Sequence, residues 1–147
     1  MPVQDFIGTY DAQMPAGYAG MVAESQIVRD VASKTVETAV VAFGLAVGVG
    51  ATDNSVKLGG GGYIGVTVAD KTREADEYAV GEVAGVMRKG TIWVIADGAV
   101  TDGSVVTYTE ATGAIGAKSV ASGIVAIPGA KFETTAADGA LVRVYLG

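Results

Sequence analysis

Three Asp-Gly pairs punctuate the second half of the chain: Asp97-Gly98, Asp102-Gly103 and Asp138-Gly139. Asp and Gly both tolerate positive φ, so each pair reverses the backbone at little cost and interrupts any helix that reaches it. Around them lie short runs rich in Val, Ile, Thr and Tyr. These are Glu82–Met87, Thr91–Ala96, Ser104–Thr109, Ser122–Ile127, Ala130–Thr135 and Ala140–Leu146. Lys89-Gly90 and Pro128-Gly129 supply further turns. Short strands at intervals of roughly 8–12 residues, each closed by a turn signal, predict an all-β fold: a small β-barrel or β-sandwich with short hairpins. Thr91–Ala96 is apolar on both faces, which places it centrally in a sheet or under a cap.

The first half is less regular. Tyr63–Val68 alternates, with Ile64, Val66 and Val68 on one face and Tyr63, Gly65 and Thr67 on the other. Thr35–Val41 and Leu45–Val49 also read as strands separated by Gly44, and Gln26–Val31 alternates weakly. A helix over Val31–Gly44, capped by Ser33, is the rival reading, but Val, Thr and Gly are poor helix formers. Asp53, Asn54 and Ser55 form a turn. The run Gly59–Gly62 has no side chains to pack, so its simplest role is a loop or strand edge where backbones approach closely. Asp70–Glu77, with mixed charges, reads as an exposed loop. Residues 1–25 are interrupted by Pro2, Gly8, Pro15, Gly17 and Gly20 and read as an extended N-terminal arm. Residues 26–147 form a single β domain.

Composition decides what this domain can do. Half of the 147 residues are hydrophobic, mean hydropathy is +0.40, and the apolar content is mostly Val and Ala beside 22 Gly. Such a chain is not disordered. Its core is built from small side chains, so burial alone supports a lone monomer weakly and assembly with other chains is the natural remedy. The net charge is −6, from 16 acidic and 10 scattered basic residues, which argues against nucleic acid as a partner. The longest apolar stretch, Ala39–Ala51, has 13 residues and three glycines, too short for a transmembrane helix. No secretory leader pattern opens the chain, so a soluble protein used in the cytoplasm, or in a particle assembled there, is expected.

The sequence holds neither His nor Cys. That removes the usual catalytic base, thiolate nucleophiles and the soft zinc ligands, and with them every Ser/His/Asp or Cys/His arrangement. Carboxylates remain, but Asp53, Asp70, Asp76, Asp97, Asp102 and Asp138 fall in turns or loops, where Asp bonds its own backbone. No calcium-loop spacing appears, and Gly59–Gly62 lacks the lysine of a phosphate loop. The expectation is a protein that is not an enzyme and has no cofactor or metal. What the chain does carry is anchors for another protein. Phe6, Ile7, Tyr10, Met14, Tyr18 and Met21 punctuate the arm, and the sole tryptophan is Trp93. Aromatic residues and Met are enriched in the buried centres of protein interfaces. Packing of the arm on its own domain is the competing reading, as is a core position for Trp93. A carbohydrate- or cell-surface-binding module, of the kind found in a phage tail fibre or adhesin, is the alternative function; it would use Tyr63, Trp93 and Tyr108.

The order of segments is familiar: the arm VQDFIGTYDAQMPAGYAGMVA, then VVAFGLAVGVG, YIGVTVAD, KGTIWVIADGAVTDGSVVTY and AIPGAKFETTAADGALVRVYL. It resembles the capsid decoration, or structural cement, proteins of tailed bacteriophages, above all in the last two segments. The resemblance implies a small β-barrel or β-sandwich made in the host cytoplasm and placed on the outer surface of the virion. Its partner would be the major capsid protein. It would bridge neighbouring capsomers as a homo-oligomer, with a trimer favoured and a dimer left open. No catalytic residue is implied.

Overall fold

The computed structural model describes residues 17–23, 30–60, 62–70, 72 and 75–146. Twelve strands and no helix occur among them. The first seven are β1 (Asp30–Val36), β2 (Val41–Ala42), β3 (Ala46–Val49), β4 (Ser55–Leu58), β5 (Tyr63–Thr67), β6 (Glu77–Tyr78) and β7 (Val83–Lys89). The remaining five are β8 (Thr91–Ile95), β9 (Val105–Thr109), β10 (Ile115–Gly116), β11 (Ile124–Phe132) and β12 (Leu141–Tyr145). The all-β expectation holds, and the barrel is real: β1-β4-β3-β5-β7 closes on itself, while β2 and β6 pair separately. A second sheet runs β10-β9-β11-β12-β8, and a bridge between Ala96 and Ile115 brings its two margins together.

Closure of the barrel depends on one parallel pairing. Thr35 and Val36 of β1 lie beside Ser55 and Val56 of β4, while every other strand pair in the barrel is antiparallel. The sequence reading missed β4, because Asp53-Asn54 precedes it and glycines follow it. Only four residues remain, too few for a periodic pattern, and Ser55 belongs to the strand rather than to the turn. The expected single strand Thr35–Val41 is also two pieces. β1 ends at Val36, whose side chain is buried, and Thr38 takes φ +72° before β2 begins. The helix considered over Val31–Gly44 does not form. The weakly alternating Gln26–Val31 falls mostly outside the described residues.

The Glu37 side chain explains the break after β1. Its carboxylate accepts the backbone N–H of Ala51 and the Thr52 hydroxyl at 3.2 Å, so it ties the end of β1 to the turn leading into β4. These donors hold the Glu37 carboxyl below its ordinary value, the Ala51 amide contributing most.

Two apolar clusters fill the structure. One holds Val36, Val47, Val56, Ala84 and Val86 from four barrel strands, with Phe43 and Tyr78 stacked edge to face at 5.2 Å. The other lies between the barrel and the second sheet. There Ala46, Val66 and Met87 meet Ile92, Val94, Val106, Phe132, Val142 and Val144. Ile64 therefore parts from Val66 and Val68, with which it was expected to share a face: it packs on the first cluster and they on the second. A register shift between Val47 and Gly48, opposite β5, accompanies the change. Buried Thr67 stays satisfied by donating to the Ala42 carbonyl at 2.8 Å and accepting from the Leu45 amide at 3.2 Å.

The turn residues also connect elements that the sequence pattern could not pair. Lys89-Gly90 is a joint between the barrel and the second sheet, not a hairpin, since β7 and β8 belong to different sheets. Asp97-Gly98 and Asp102-Gly103 turn the chain between β8 and β9, which are not neighbours. That connection instead pairs Val100 with Ala136, and Asp138 accepts the Gly98 amide at 2.9 Å. The two strands expected around Pro128-Gly129 are a single one, β11. Five steps along it, Ala126 to Lys131, match two along β9, so the Pro-Gly pair is extruded as a large bulge.

Candidate protein-contact surface

The described part of the arm runs beside β8. The Gly20 amide donates to the Trp93 carbonyl at 2.8 Å, the Trp93 amide to the Met21 carbonyl at 2.9 Å, and the Ala23 amide to the Thr91 carbonyl at 3.0 Å. Val22 bridges Ile92. Residues 20–23 thus act as a further strand on the outer side of β8, which makes β8 internal to its sheet. Gly20 also touches the barrel: it accepts the Ala69 amide at 2.8 Å, and a Cβ on it would lie 2.8 Å from Phe43 Cβ and from Ala69 N, at φ +80°. Only glycine fits there.

The second sheet has one face in the core and one turned away from it. On β8 and β12 the buried apolar residues are Ile92, Val94, Val142 and Val144, and Thr91 at the start of β8 is buried as well. Period-two geometry therefore turns Trp93, Ile95, Leu141, Arg143 and Tyr145 outward. Cross-strand register orders this face in rows. One row runs Val105, Lys131, Tyr145; the next Glu133, Arg143, Trp93; a third Leu141, Ile95. Met21 continues the second row beside Trp93. Val105, Ile95 and Tyr145 are 53%, 46% and 41% exposed, so this face leaves apolar side chains in solvent on three of its strands. Arg143 and Glu133 pair at 3.3 Å across it.

Of the residues singled out from sequence, Phe6, Ile7, Tyr10 and Met14 lie outside the described residues. Met21 and Trp93 come together: a Cβ on Gly17 would sit 2.9 Å from Trp93 Cδ1 and 3.1 Å from Met21 Cε. Tyr18 is exposed and lines a groove between barrel and second sheet with Phe43, Leu45 and Ile95. Sequence reasoning singled out Trp93 on this face but passed over Val105, Lys131, Leu141 and Tyr145. The alternation in Leu141–Tyr145 carries the signal; which strand lies alongside does not follow from it.

Two of the three aromatics proposed for a sugar groove are unavailable. Tyr108 is buried and Tyr63 half-buried, their rings tilted against each other at 5.6 Å. The Tyr108 hydroxyl donates to the Gly60 carbonyl at 2.6 Å, and burial raises the pKa of both phenols. The glycine run explains this junction. A Cβ on Gly59 would lie 2.0 Å from the Glu110 carbonyl oxygen, so the two backbones meet directly, as the run of glycines suggested. The turn aspartates are structural: Asp97 pairs with Lys118 at 2.9 Å, and Asp138 holds Gly98. Among the described residues no three His, Cys, Asp or Glu side chains converge, and no helix is long and apolar enough to cross a membrane.

A linked pair of β structures with an apolar outer sheet face and a strand-like arm segment defines a protein that works through surface contact. Comparison with known proteins gives the class its name. Residues 6–147 match the model of the family described as structural cement protein (E217 gp24/Pam3 gp6), and the chain belongs to that family. It is therefore a non-catalytic structural protein of the phage capsid, a component of the virion that associates with capsid proteins. Its fold is similar to a chain in the capsid of Myoviridae phage XM1, with TM-score 0.78, 18% identity, and 95% of this chain and 96% of that one covered. It is also similar to the head fiber gp8.5 N base of bacteriophage phi29, with TM-score 0.53, 13% identity and coverage of 82% and 95%. No curated protein sequence matches the chain.

Proposed function

We propose that the protein binds the outer surface of the major-capsid shell and stabilises it by bridging neighbouring capsomers, acting as a homotrimer, with a dimer as the alternative. The observation that carries this reading is the family match over residues 6–147. The similarity to a chain of the phage XM1 capsid over nearly its whole length supports it. The division of labour is an arm, residues 1–25, and a β domain, residues 26–147. The contact residues are Phe6, Ile7, Tyr10, Met14, Tyr18, Met21 and Trp93. Stabilisation follows from linkage: a ligand at a hundred times its Kd adds about 2.7 kcal/mol per site to the state that binds it. Repeated over many copies, that raises the barrier to shell rupture.

The test is co-sedimentation with purified shells. Deleting residues 1–16 spares the segment paired with β8 and should weaken binding while the β domain keeps its unfolding midpoint. Equal affinity for shells with and without those residues would remove the arm from the contact. Light scattering of the free protein reads the oligomer. The carbohydrate-binding alternative would need a groove built without Tyr63 and Tyr108, and glycan-array binding is its discriminating measurement.

A further inference from the structure

We infer that the fold suppresses a covalent rearrangement of its own main chain, isoaspartate formation, at all three Asp-Gly pairs, and that two of the pairs protect each other. Asp-Gly is a dipeptide in which this rearrangement is easy, because glycine has no Cβ to keep its nitrogen away from the preceding carboxyl. The glycine nitrogen attacks Cγ of the Asp side chain, and a carboxyl oxygen leaves as water with the amide proton. Water then reopens the cyclic imide at either carbonyl, giving aspartate or isoaspartate. Mass is unchanged overall, but in isoaspartate the main chain runs through the side-chain methylene. The first step carries a strict requirement. The imide nitrogen bears no hydrogen, so the glycine must surrender whatever bond its N–H makes.

Each of the three glycines makes such a bond. The Gly98 amide donates to Asp138 Oδ1 at 2.9 Å, the Gly103 amide to the Phe132 carbonyl at 2.7 Å, and the Gly139 amide to the Ala96 carbonyl at 2.9 Å. The first and third pairs interlock. The nitrogen that would attack Asp97 is held by the Asp138 carboxylate, which is the group that Gly139 would attack. The Gly139 nitrogen is held in turn by Ala96, the residue before Asp97, and the Asp97 carboxylate is paired with Lys118 at 2.9 Å. Reaction at either pair therefore requires this joint to open, and its rate scales with the open fraction. A hydrogen bond to a charged acceptor such as Asp138 lowers that fraction about ten-fold or more. An inserted methylene would also fall where the second sheet closes: the Ala96 amide donates to the Ala140 carbonyl and the Asp97 amide to the Ile115 carbonyl, both at 2.9 Å. A virion makes no new protein, so an assembled capsid component keeps every such lesion. The inference is independent of which shell surface the protein contacts.

The test counts isoaspartate by enzymatic carboxyl methylation and locates it by peptide mass mapping, after prolonged warming at mildly acidic pH. Wild type is compared folded and in urea, and the folded chain should react roughly ten-fold or more slowly at each pair. Asp138→Ala frees the Gly98 amide and should raise the rate at Asp97 about ten-fold, while Asp102, whose glycine is held by Phe132, keeps its rate. Asp138→Asn retains an acceptor oxygen for Gly98 and should leave Asp97 protected. Loss of ammonia at that position, read as a gain in mass, reports on the Gly139 amide and should be slow until urea is added. Equal rates in the folded and unfolded wild type overturn the proposal. So does an unchanged rate at Asp97 in folded Asp138→Ala, or an Asp138→Asn protein in which Asp97 rearranges as fast as in urea. If Asp138→Ala fails to fold, which a rate at Asp102 equal to that in urea would reveal, the wild-type and Asp138→Asn comparisons decide.

Discussion

Tyr63 and Tyr108 touch, yet removing the same atom from each should have opposite effects. The Tyr108 hydroxyl donates to the Gly60 carbonyl at 2.6 Å inside the junction between the two sheets. The Tyr63 hydroxyl is sealed from solvent and has no hydrogen-bonding partner among the described residues. A buried unpaired hydroxyl costs about 1–3 kcal/mol, whereas a made bond contributes a net 0.5–1.5 kcal/mol and strands its acceptor when lost. Tyr63→Phe should therefore stabilise the fold by about 1 kcal/mol, raising Tm by about 2–4 °C for a chain of this size. Tyr108→Phe should destabilise it by about 1–2 kcal/mol, because the Gly60 carbonyl is left bare. The ring contact at 5.6 Å survives both changes, so packing cancels in the comparison.

The same pair has a pH signature. Burial, and secondarily the neighbouring Tyr108, raise the Tyr63 phenol well above its ordinary value of 10.0. A group whose folded pKa is raised contributes stability that is complete below the unfolded pKa and is lost as pH rises beyond it. The wild type should thus weaken above about pH 10 more steeply than Tyr63→Phe. Urea titrations of the three proteins at neutral and alkaline pH, with a shared m-value, read all of this. If Tyr63→Phe lost as much stability as Tyr108→Phe, the Tyr63 hydroxyl would have a bonding partner and the reasoning would fail.

Other substitutions probe other joints. Gly59→Ala places a methyl group 2.0 Å from the Glu110 carbonyl oxygen at φ +61°, and equilibrium denaturation should show a loss of about 3 kcal/mol or more. Thr67→Val removes the hydroxyl that serves the Ala42 carbonyl and the Leu45 amide, at a cost of about 1–3 kcal/mol by the same measurement. Glu37 has a folded pKa below its ordinary 4.5, so its contribution is present above pH 4.5 and fades as pH falls through the folded value. The stability gap between wild type and Glu37→Gln should be open at pH 7 and narrow as the solution is acidified below that point. A constant gap would mean that the carboxylate does not hold the turn at Ala51 and Thr52.

What could be read before the coordinates was local. Asp-Gly pairs bend the chain wherever they occur, and Gly98, Gly103 and Gly139 all adopt positive φ. The Thr91–Ala96 strand and the close approach at Gly59 were likewise written in residue type. Pairing was not. An Asp-Gly turn does not reveal whether the flanking strands meet each other, and Asp97-Gly98 shows that they need not. β4 was hidden because four residues between a turn and a glycine run carry no period. β11 was cut in two because Pro128 is normally read as a stop, while the bulge lets the strand resume. The contact face suffered the same loss: Leu141, Arg143 and Tyr145 alternate visibly, but Val105, Lys131 and Met21 join them only through cross-strand register. The large arm residues were visible because nothing inside a chain of Val, Ala and Gly resembles them.

The closure of the sheets has a consequence for crowding. Barrel strands return upon one another, β8 and β10 meet through Ala96 and Ile115, and the outer side of β8 is taken by residues 20–23. Where β11 bows away from β9, Pro128 interrupts the row of donors. A capsid component is held at high local concentration beside copies of itself, the condition under which bare strand edges recruit one another into open-ended stacks. By spending its main-chain hydrogen bonds internally, this chain leaves side chains to do the touching, so neighbours can stand close without their sheets fusing.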